Sequence, residues 1–312
     1  MVSQVTGSLN RLPAFLLFLV FLVPAWPRAA AAGVEVLAAD YPVYLFTLSL
    51  MKGLPDSRVT LLTAATGRTS GHRLTPAELE TLSRAEILVS GGLAFDAFLE
   101  RALGVAKPGL RIIDASARPA EAQILDPASA RRWYASPAPS RPDPYLFASL
   151  SGAAFMTGNL AEALARLDPQ AAETYRDNAA EVTEGYRRLL YDSQAVAALW
   201  PRPRVILSHG VLSHMAADLR LAVADIIERD GERPAAGRLA ELADLARGSA
   251  AVLADPYGQL DLARTVGAEA RRPVALIDPV VSGPLEPPAD YFLKVFRTNL
   301  TVLNELFRGT TQ

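Results

Sequence analysis

Short apolar runs alternate with longer helix-like segments along nearly the whole chain after residue 33. The predicted strands are residues 34–39, 58–62, 87–90 and 111–114 in the first half, and 205–208, 222–227, 251–254 and 274–277 in the second. Strands that are separated by helices favour a parallel sheet with helical crossovers. The alternation therefore predicts an α/β fold, with the same layout in both halves of the chain.

A long helical segment separates the two halves. Asp168 and Pro169 form a helix start of the cap-then-proline type, and residues 170–199 contain no helix breaker stronger than Gly185. A helix of that length would extend about 45 Å, which is too long for one small lobe. We therefore predict two α/β lobes, each with a mostly parallel sheet flanked by helices, joined by one long rigid helix. The predicted division is 33–167 for the N-terminal lobe, 168–200 for the linking helix and 201–312 for the C-terminal lobe.

The first 32 residues are predicted to be a secretory signal peptide. Arg11 precedes an apolar block at residues 12–26. The block is interrupted by proline and is shorter than a membrane-spanning helix, which needs about 20 residues. Small residues follow, so cleavage is expected near Ala32. An uncleaved N-terminal anchor is the alternative. No cysteine follows the block, which excludes a lipoprotein of the usual kind, and we expect a periplasmic protein.

Composition excludes several classes of function. The chain has no cysteine, which excludes disulfides, cysteine-type zinc sites and a thiol nucleophile. Its net charge is −2, so nothing indicates a nucleic-acid partner or an anionic membrane surface. The 312 residues are enough for two domains that are stabilised by apolar burial alone, and we expect a monomer.

Candidate metal ligands come from both halves, although the chain has only 3 histidines. His209 ends one predicted strand, Asp278 follows another, and His72 lies in a loop rich in Thr, Gly and Ser. The carboxyl ends of parallel strands meet at one crevice, so these side chains are expected to converge. Two imidazoles and a carboxylate suit a divalent transition metal. Each residue also has an ordinary interpretation as a cap, turn or surface residue, and Asp255 repeats the pattern of Asp278.

Tyr145 and His214 are further candidates. Tyr145 follows Asp143-Pro144 at the end of a proline-rich segment, residues 117–144, that is predicted to be a long loop. A phenolate is a hard ligand and would favour iron, whereas half-buried packing is the alternative. His214 lies five positions after His209, an offset that does not place both side chains on one helix face. It is therefore interpreted as a packing residue or an outer-shell partner.

Several segments together resemble the metal-binding solute-binding proteins of bacterial zinc and manganese ABC importers, over nearly the whole chain after residue 33. The similar segments are LTPAELETLSRAEILVSGGLAFDAFLE, VILSHGVLSHMAADLRL, ERPAAGRLAELADLA, VLADPYGQLDLARTVGAEARRPVALIDP and DYFLKVFRTNLTVLNELF. The resemblance implies a binding protein rather than an enzyme. It also implies a metal cargo, Zn²⁺ or Mn²⁺, and a membrane permease of an ABC importer as partner. Two imidazoles and a carboxylate favour Zn²⁺, and iron is the alternative if a phenolate binds.

The resemblance also implies a ligand set of four side chains at the lobe interface. His209 and Asp278 match the second-lobe pair, and His72 matches the first of two first-lobe histidines. Tyr145 stands where the family has the second, so the implied set is His72, Tyr145, His209 and Asp278.

Two alternatives remain open. The first is the same fold with a degenerate metal site that binds another small ligand, because Tyr145 replaces a histidine and His72 lies about two residues closer to Thr75 than in the family. The second is a secreted zinc hydrolase, in which three ligands and a water form a catalytic site with Asp143 or Glu286 as base.

Overall fold

The computed structural model describes residues 1, 33–63, 72–92, 98–117, 124–127, 145–228 and 233–308. The predicted signal peptide and most of the proline-rich segment 117–144 lie outside the described residues. Within the described part of the chain, no helix combines the length and the apolar character needed to cross a membrane.

The first sheet is formed by the strands of the N-terminal half. These are β1 (Glu35–Ala38), β2 (Arg58–Leu61), β3 (Ile87–Ser90), β4 (Arg111–Asp114) and β5 (Ile124–Leu125). Their order is β2-β1-β3-β4-β5, and only the β4–β5 pair is antiparallel among the described strands. The sequence predicts β1 to β4. It misses β5, which lies in the predicted loop, because two residues are too short to show an alternating pattern.

Three helices lie in the described part of the N-terminal half: α1 (Tyr41–Leu50), α2 (Pro76–Arg84) and α3 (Phe98–Ala102). The side chain of Asp40 caps α1 by accepting a hydrogen bond from the N–H of Val43. A capping box between Thr75 and Glu78 begins α2, and both helices have a proline in their first turn. These local signals fix the residues at which α1 and α2 begin.

A helical hairpin connects the two halves. A 3-10 turn at Leu146–Ala148 precedes α4 (Leu150–Leu167), and α5 (Ala172–Ala197) follows it. The hydroxyl of Ser149 accepts the N–H of Gly152, which separates the turn from α4. With 26 residues, α5 extends about 39 Å and is the long linking helix.

The second sheet is formed by the C-terminal half. Its strands are β6 (Arg204–His209), β7 (Ala222–Glu228), β8 (Ala251–Ala254) and β9 (Val274–Leu276), in the order β7-β6-β8-β9. All neighbouring pairs are parallel. The helices are α6 (Ser213–Asp218), α7 (Ala236–Arg247), α8 (Leu260–Ala270) and α9 (Tyr291–Arg308), and a 3-10 turn at Gly210–Leu212 follows β6.

One apolar core serves both halves. Alternate strand residues point to opposite faces, and one face of each sheet belongs to a shared cluster with α1, α4, α5 and α9. Members of this shared core include Val36, Phe46, Leu160, Tyr186, Val205, Leu207 and Phe292. The other face of each sheet packs on its own helices, in clusters that include Leu37, Leu82 and Leu88 or Ile206, Val252 and Leu262. The fold therefore has two mostly parallel sheets, each flanked by helices, around common central helices.

Candidate metal centre

His209 is fixed at the carboxyl end of β6. It is 9% exposed, and the N–H of Val211 donates a hydrogen bond of 3.1 Å to its Nδ1. Since Nδ1 accepts, the proton of the neutral imidazole lies on Nε2. The local turn therefore selects both the orientation and the tautomer of this ring.

Tyr145 lies against His209. Its hydroxyl oxygen is 3.4 Å from Nε2 of His209, and the two rings meet edge to face with centroids 5.0 Å apart. Nε2–H is therefore the donor and the phenol oxygen the acceptor. Two of the four predicted ligands, separated by 64 positions in the chain, are brought together.

This arrangement has a consequence for metal binding at His209. A metal on Nδ1 needs the lone pair that now accepts from Val211. A metal on Nε2 moves the proton to Nδ1, which then no longer accepts. With the ring in this orientation, a cation bound to the neutral imidazole displaces the hydrogen bond from Val211 in either case.

Glu228 is a further polar side chain at this edge of the sheet. It is paired with His209 in the parallel register of β6 and β7 and is 2% exposed. The strand predicted from the sequence ends at residue 227, one residue too early, so the sequence does not place Glu228 beside His209. The apolar run ends there and gives no further signal, and only the register reveals the pairing.

Asp278 follows β9 and is held through its backbone. Its N–H donates to Oδ1 of Asn299 (3.0 Å), and Nδ2 of Asn299 donates to its carbonyl (2.7 Å). Its own Oδ1 accepts the N–H of Val280 at 2.7 Å. Val280 is fully buried with φ +62°, a conformation that costs a β-branched residue about 1–3 kcal/mol. The segment after Asp278 is thus fixed by its carboxylate and by Asn299.

Phenols surround the Asp278 carboxylate. Burial raises the pKa of Asp278, and the hydrogen bond from Val280 offsets this only in part. Burial also raises the pKa of Tyr257 to about 12, and the nearby charge of Asp278 adds to that shift. The pKa of Tyr291 is raised for the same two reasons, and that of Tyr41 is raised by burial, then by neighbouring phenols and least by Asp278. All three phenols are therefore neutral at ordinary pH.

His72 is oriented by a carboxylate. Its Nε2 is 3.3 Å from Oε2 of Glu78, and its ring meets Phe98 edge to face at 5.6 Å. Burial acts to raise the pKa of Glu78, but hydrogen bonds from Thr75 and the neighbouring His72 outweigh it and lower the pKa. Glu78 is thus ionised and accepts Nε2–H, and in the neutral imidazole of His72 this leaves a lone pair on Nδ1. Histidines that bind metals commonly donate their other ring N–H to a carboxylate in this way.

The predicted ligands do not all meet in this arrangement. Among the residues that the structure describes, no group of three or more histidine, aspartate or glutamate side chains is placed to hold a metal ion. His72, His209 and Asp278 are all described and form no such group. His214 lies half-buried on α6. The ligand set of His72, Tyr145, His209 and Asp278, with His214 as an outer-shell partner, stays a prediction.

Comparisons with known proteins give one family and one fold. Residues 36–306 match the family described as zinc-uptake complex component A, periplasmic (ZnuA). The solute-binding protein FpvC of Pseudomonas aeruginosa, solved with Ni²⁺, is 18% identical with a TM-score of 0.75, covering 90% of this chain and 98% of that chain. A crystal structure of ZnuA is 21% identical with a TM-score of 0.69, covering 87% and 98%.

A third solved structure is the laminin-binding protein of Streptococcus agalactiae, described as bifunctional with adhesin and metal transporting activity. It is 18% identical with a TM-score of 0.70, covering 88% of this chain and 99% of that chain. A search of curated protein sequences gives no match. At these identities the structural likeness establishes the fold.

Proposed function

The chain belongs to the family of the periplasmic zinc-uptake complex component A, a family of metal-binding solute-binding proteins, and from this premise we propose that it captures Zn²⁺ between its two lobes and delivers it to the membrane permease of an ABC importer. The observation that carries the proposal is the extent of the family match. Residues 36–306 include almost all of both sheets and the long helix α5 between them. Both halves that would enclose a cargo ion thus belong to the family.

The proposed donors are the four predicted side chains. His72 has Nδ1 available beside an ionised Glu78, His209 stands against Tyr145, and Asp278 has a buried carboxylate whose charge a cation would stabilise. We expect the lobes to close around the ion and to bring these donors within coordination distance. No bond is made or broken in this function, which consists of capture and handover.

Zn²⁺ is the proposed cargo because neutral imidazoles and a carboxylate are its usual nitrogen and oxygen ligands. Mn²⁺ and iron are the alternatives, and iron is favoured if Tyr145 binds as a phenolate. Similar proteins have been solved with Ni²⁺ and Mn²⁺ (FpvC) and with Zn²⁺ (AdcA). We propose that the protein acts in the periplasm as a monomer, after removal of residues 1–32.

Metal titration tests this proposal. Residues 33–312, prepared free of metal, are titrated with Zn²⁺, Mn²⁺ and Fe³⁺ in a calorimeter. We expect saturable binding of one ion per chain, strongest for Zn²⁺, and a loss of at least about tenfold in affinity for His209→Ala, because one ligand is removed. The matched control is Asp225→Asn, a carboxylate on β7 that is ion-paired with Arg238.

Absence of saturable binding by the wild-type protein contradicts the proposal and favours the degenerate site that binds another small ligand. Metal-dependent turnover of ester, peptide or phosphate substrates favours the hydrolase.

A further inference from the structure

We propose that Glu228 is a metal ligand, which binds the cargo ion beside His209 and Tyr145. This inference rests on the proposed function, since it concerns the same metal ion. It assigns a role to a residue that neither the sequence pattern nor the family resemblance singled out.

The register of the second sheet makes His209 and Glu228 direct partners on the parallel strands β6 and β7. Direct partners point to the same face of a sheet and are separated by one strand spacing of about 4.8 Å. One ion bound at about 2.0–2.2 Å to an imidazole nitrogen and a carboxylate oxygen can lie between two such side chains.

Both side chains lie on the inner face of the sheet. Leu207, two positions before His209, belongs to the shared core between the sheets, and Ile226, two positions before Glu228, packs against it. Ile206 and Ile227, one position out of phase, belong to the outer cluster with α7 and α8. His209 and Glu228 therefore face the side of the sheet on which Tyr145 and the other half of the molecule lie.

Burial and ligand chemistry also favour a cation beside Glu228. Glu228 is 2% exposed and His209 is 9% exposed, and a carboxylate in such surroundings is stable only with compensating charge or hydrogen bonds. A divalent cation would add its charge to the groups that already stabilise Glu228. A phenol is a weaker metal ligand than the imidazole that the resemblance implies at Tyr145, and the carboxylate of Glu228 beside it would supply a stronger ligand. These three side chains would supply one nitrogen and two oxygens, and water or the other proposed ligands would complete the coordination.

Asp225 provides a matched control on the same strand. It lies three positions before Glu228 and is paired in register with Ile206, so it faces the outer cluster. Its carboxylate forms an ion pair with Arg238 of α7. Glu228→Gln and Asp225→Asn each replace a carboxyl group of β7 with an amide of the same size, and they differ in the face of the sheet that they change.

The test compares both variants with the wild-type protein, each prepared free of metal as residues 33–312. Zn²⁺ affinity is measured by chelator competition, and Co²⁺ is used as a spectroscopic probe of the coordination shell. We expect Glu228→Gln to lose at least about tenfold in Zn²⁺ affinity and to change the visible Co²⁺ spectrum. Asp225→Asn should keep the Zn²⁺ affinity within about threefold of wild type and leave the Co²⁺ spectrum unchanged. A Glu228→Gln variant with wild-type affinity and spectrum overturns the inference and leaves the proposed function intact.

A second measurement needs no variant and covers the case in which Glu228→Gln fails to fold. Crystals of the wild-type protein with Zn²⁺ are measured at the zinc absorption edge. An anomalous peak within coordination distance of a Glu228 carboxylate oxygen supports the inference, and a peak beyond that distance overturns it. If the wild-type protein binds no metal at all, the proposed function fails together with this inference.

Discussion

Asp278 combines two roles whose effects on the free energy of unfolding have opposite signs. As a buried carboxylate with a raised pKa it destabilises the metal-free protein at neutral pH, and as a proposed ligand it is needed for the cargo. Its folded pKa lies above its unfolded value. Its contribution to stability is therefore fully present below the ordinary aspartate pKa and is lost as the pH rises through the raised value. A bound cation would reverse this loss.

Asp278→Asn tests both roles. The amide oxygen can still accept from Val280, but the buried charge is removed. We expect the metal-free variant to be more stable than wild type at about pH 7 and equal to it below about pH 4, where both side chains are neutral. Urea unfolding at the two pH values measures this, and a variant less stable at neutral pH contradicts it. Zn²⁺ affinity of the same variant should fall at least about tenfold.

Glu78→Gln is the control for that experiment, because the contribution of Glu78 to stability should depend on pH in the opposite direction. The pKa of Glu78 is lowered in the folded protein, so its contribution is present above the ordinary glutamate pKa and is lost as the pH falls. A glutamine keeps the capping box of α2. The stability lost in this variant should therefore be larger at about pH 7 than in acid.

At the scale of elements, α1 belongs to the first half by sequence but contacts the second half extensively. The hydroxyl of Tyr41 donates to the carbonyl of Pro284 (2.9 Å), and that of Tyr44 donates to the carbonyl of Leu285 (2.6 Å). The fit is close, because a Cβ added at Gly283 would lie 2.3 Å from the Tyr41 hydroxyl. These contacts connect α1 to the segment that begins at Asp278.

The same helix contributes to an aromatic cluster with α5 and α9. Phe46 lies 6.4 Å from Tyr186 and 5.4 Å from Phe292, measured between ring centroids, and all three side chains are buried. The cluster therefore holds together one helix from each half and the linking helix between them.

Phe46→Ala tests how much this cluster stabilises the fold. Removing a fully buried ring leaves a cavity between three helices, and we expect a loss of about 3–5 kcal/mol in the free energy of unfolding. Urea denaturation followed by circular dichroism measures it. Leu199→Ala is the control, because Leu199 is 75% exposed and its truncation should change stability by less than about 0.5 kcal/mol. A loss at Phe46 no larger than at Leu199 would show that the three helices do not depend on this ring.

At the scale of the whole molecule, the shared core makes the two sheets parts of one folding unit. Residues Ala32–Gln312 form a single compact unit, although the fold contains two lobes. Neither sheet has its inner face covered without the central helices. The division into lobes at 33–167 and 201–312 with a linking helix at 168–200 stays a proposal.

Unfolding is therefore expected to be a single transition. In residues 33–312 with Trp133→Phe, Trp200 is the sole tryptophan, and its indole packs 5.1 Å from Phe307 in the second half. Trp200 fluorescence then reports on the second half, and far-ultraviolet circular dichroism reports on both. Coincident urea transitions are expected because both sheets lose the same core. A fluorescence transition separate from the circular dichroism transition would show that the lobes unfold independently.

The sequence by itself determined the α/β class, the two halves, the long helix and the family, and the structure and the comparisons confirmed these. Such features follow from local periodicity and capping, which a short window of sequence contains. Only the tertiary structure decided what depends on pairing between distant segments. Examples are the edge strand β5, the contact of Tyr145 with His209, the register that places Glu228 beside His209, and the bonds from α1 to Pro284 and Leu285. These contacts join residues up to 243 positions apart, and no local pattern specifies which distant segments meet or in what register.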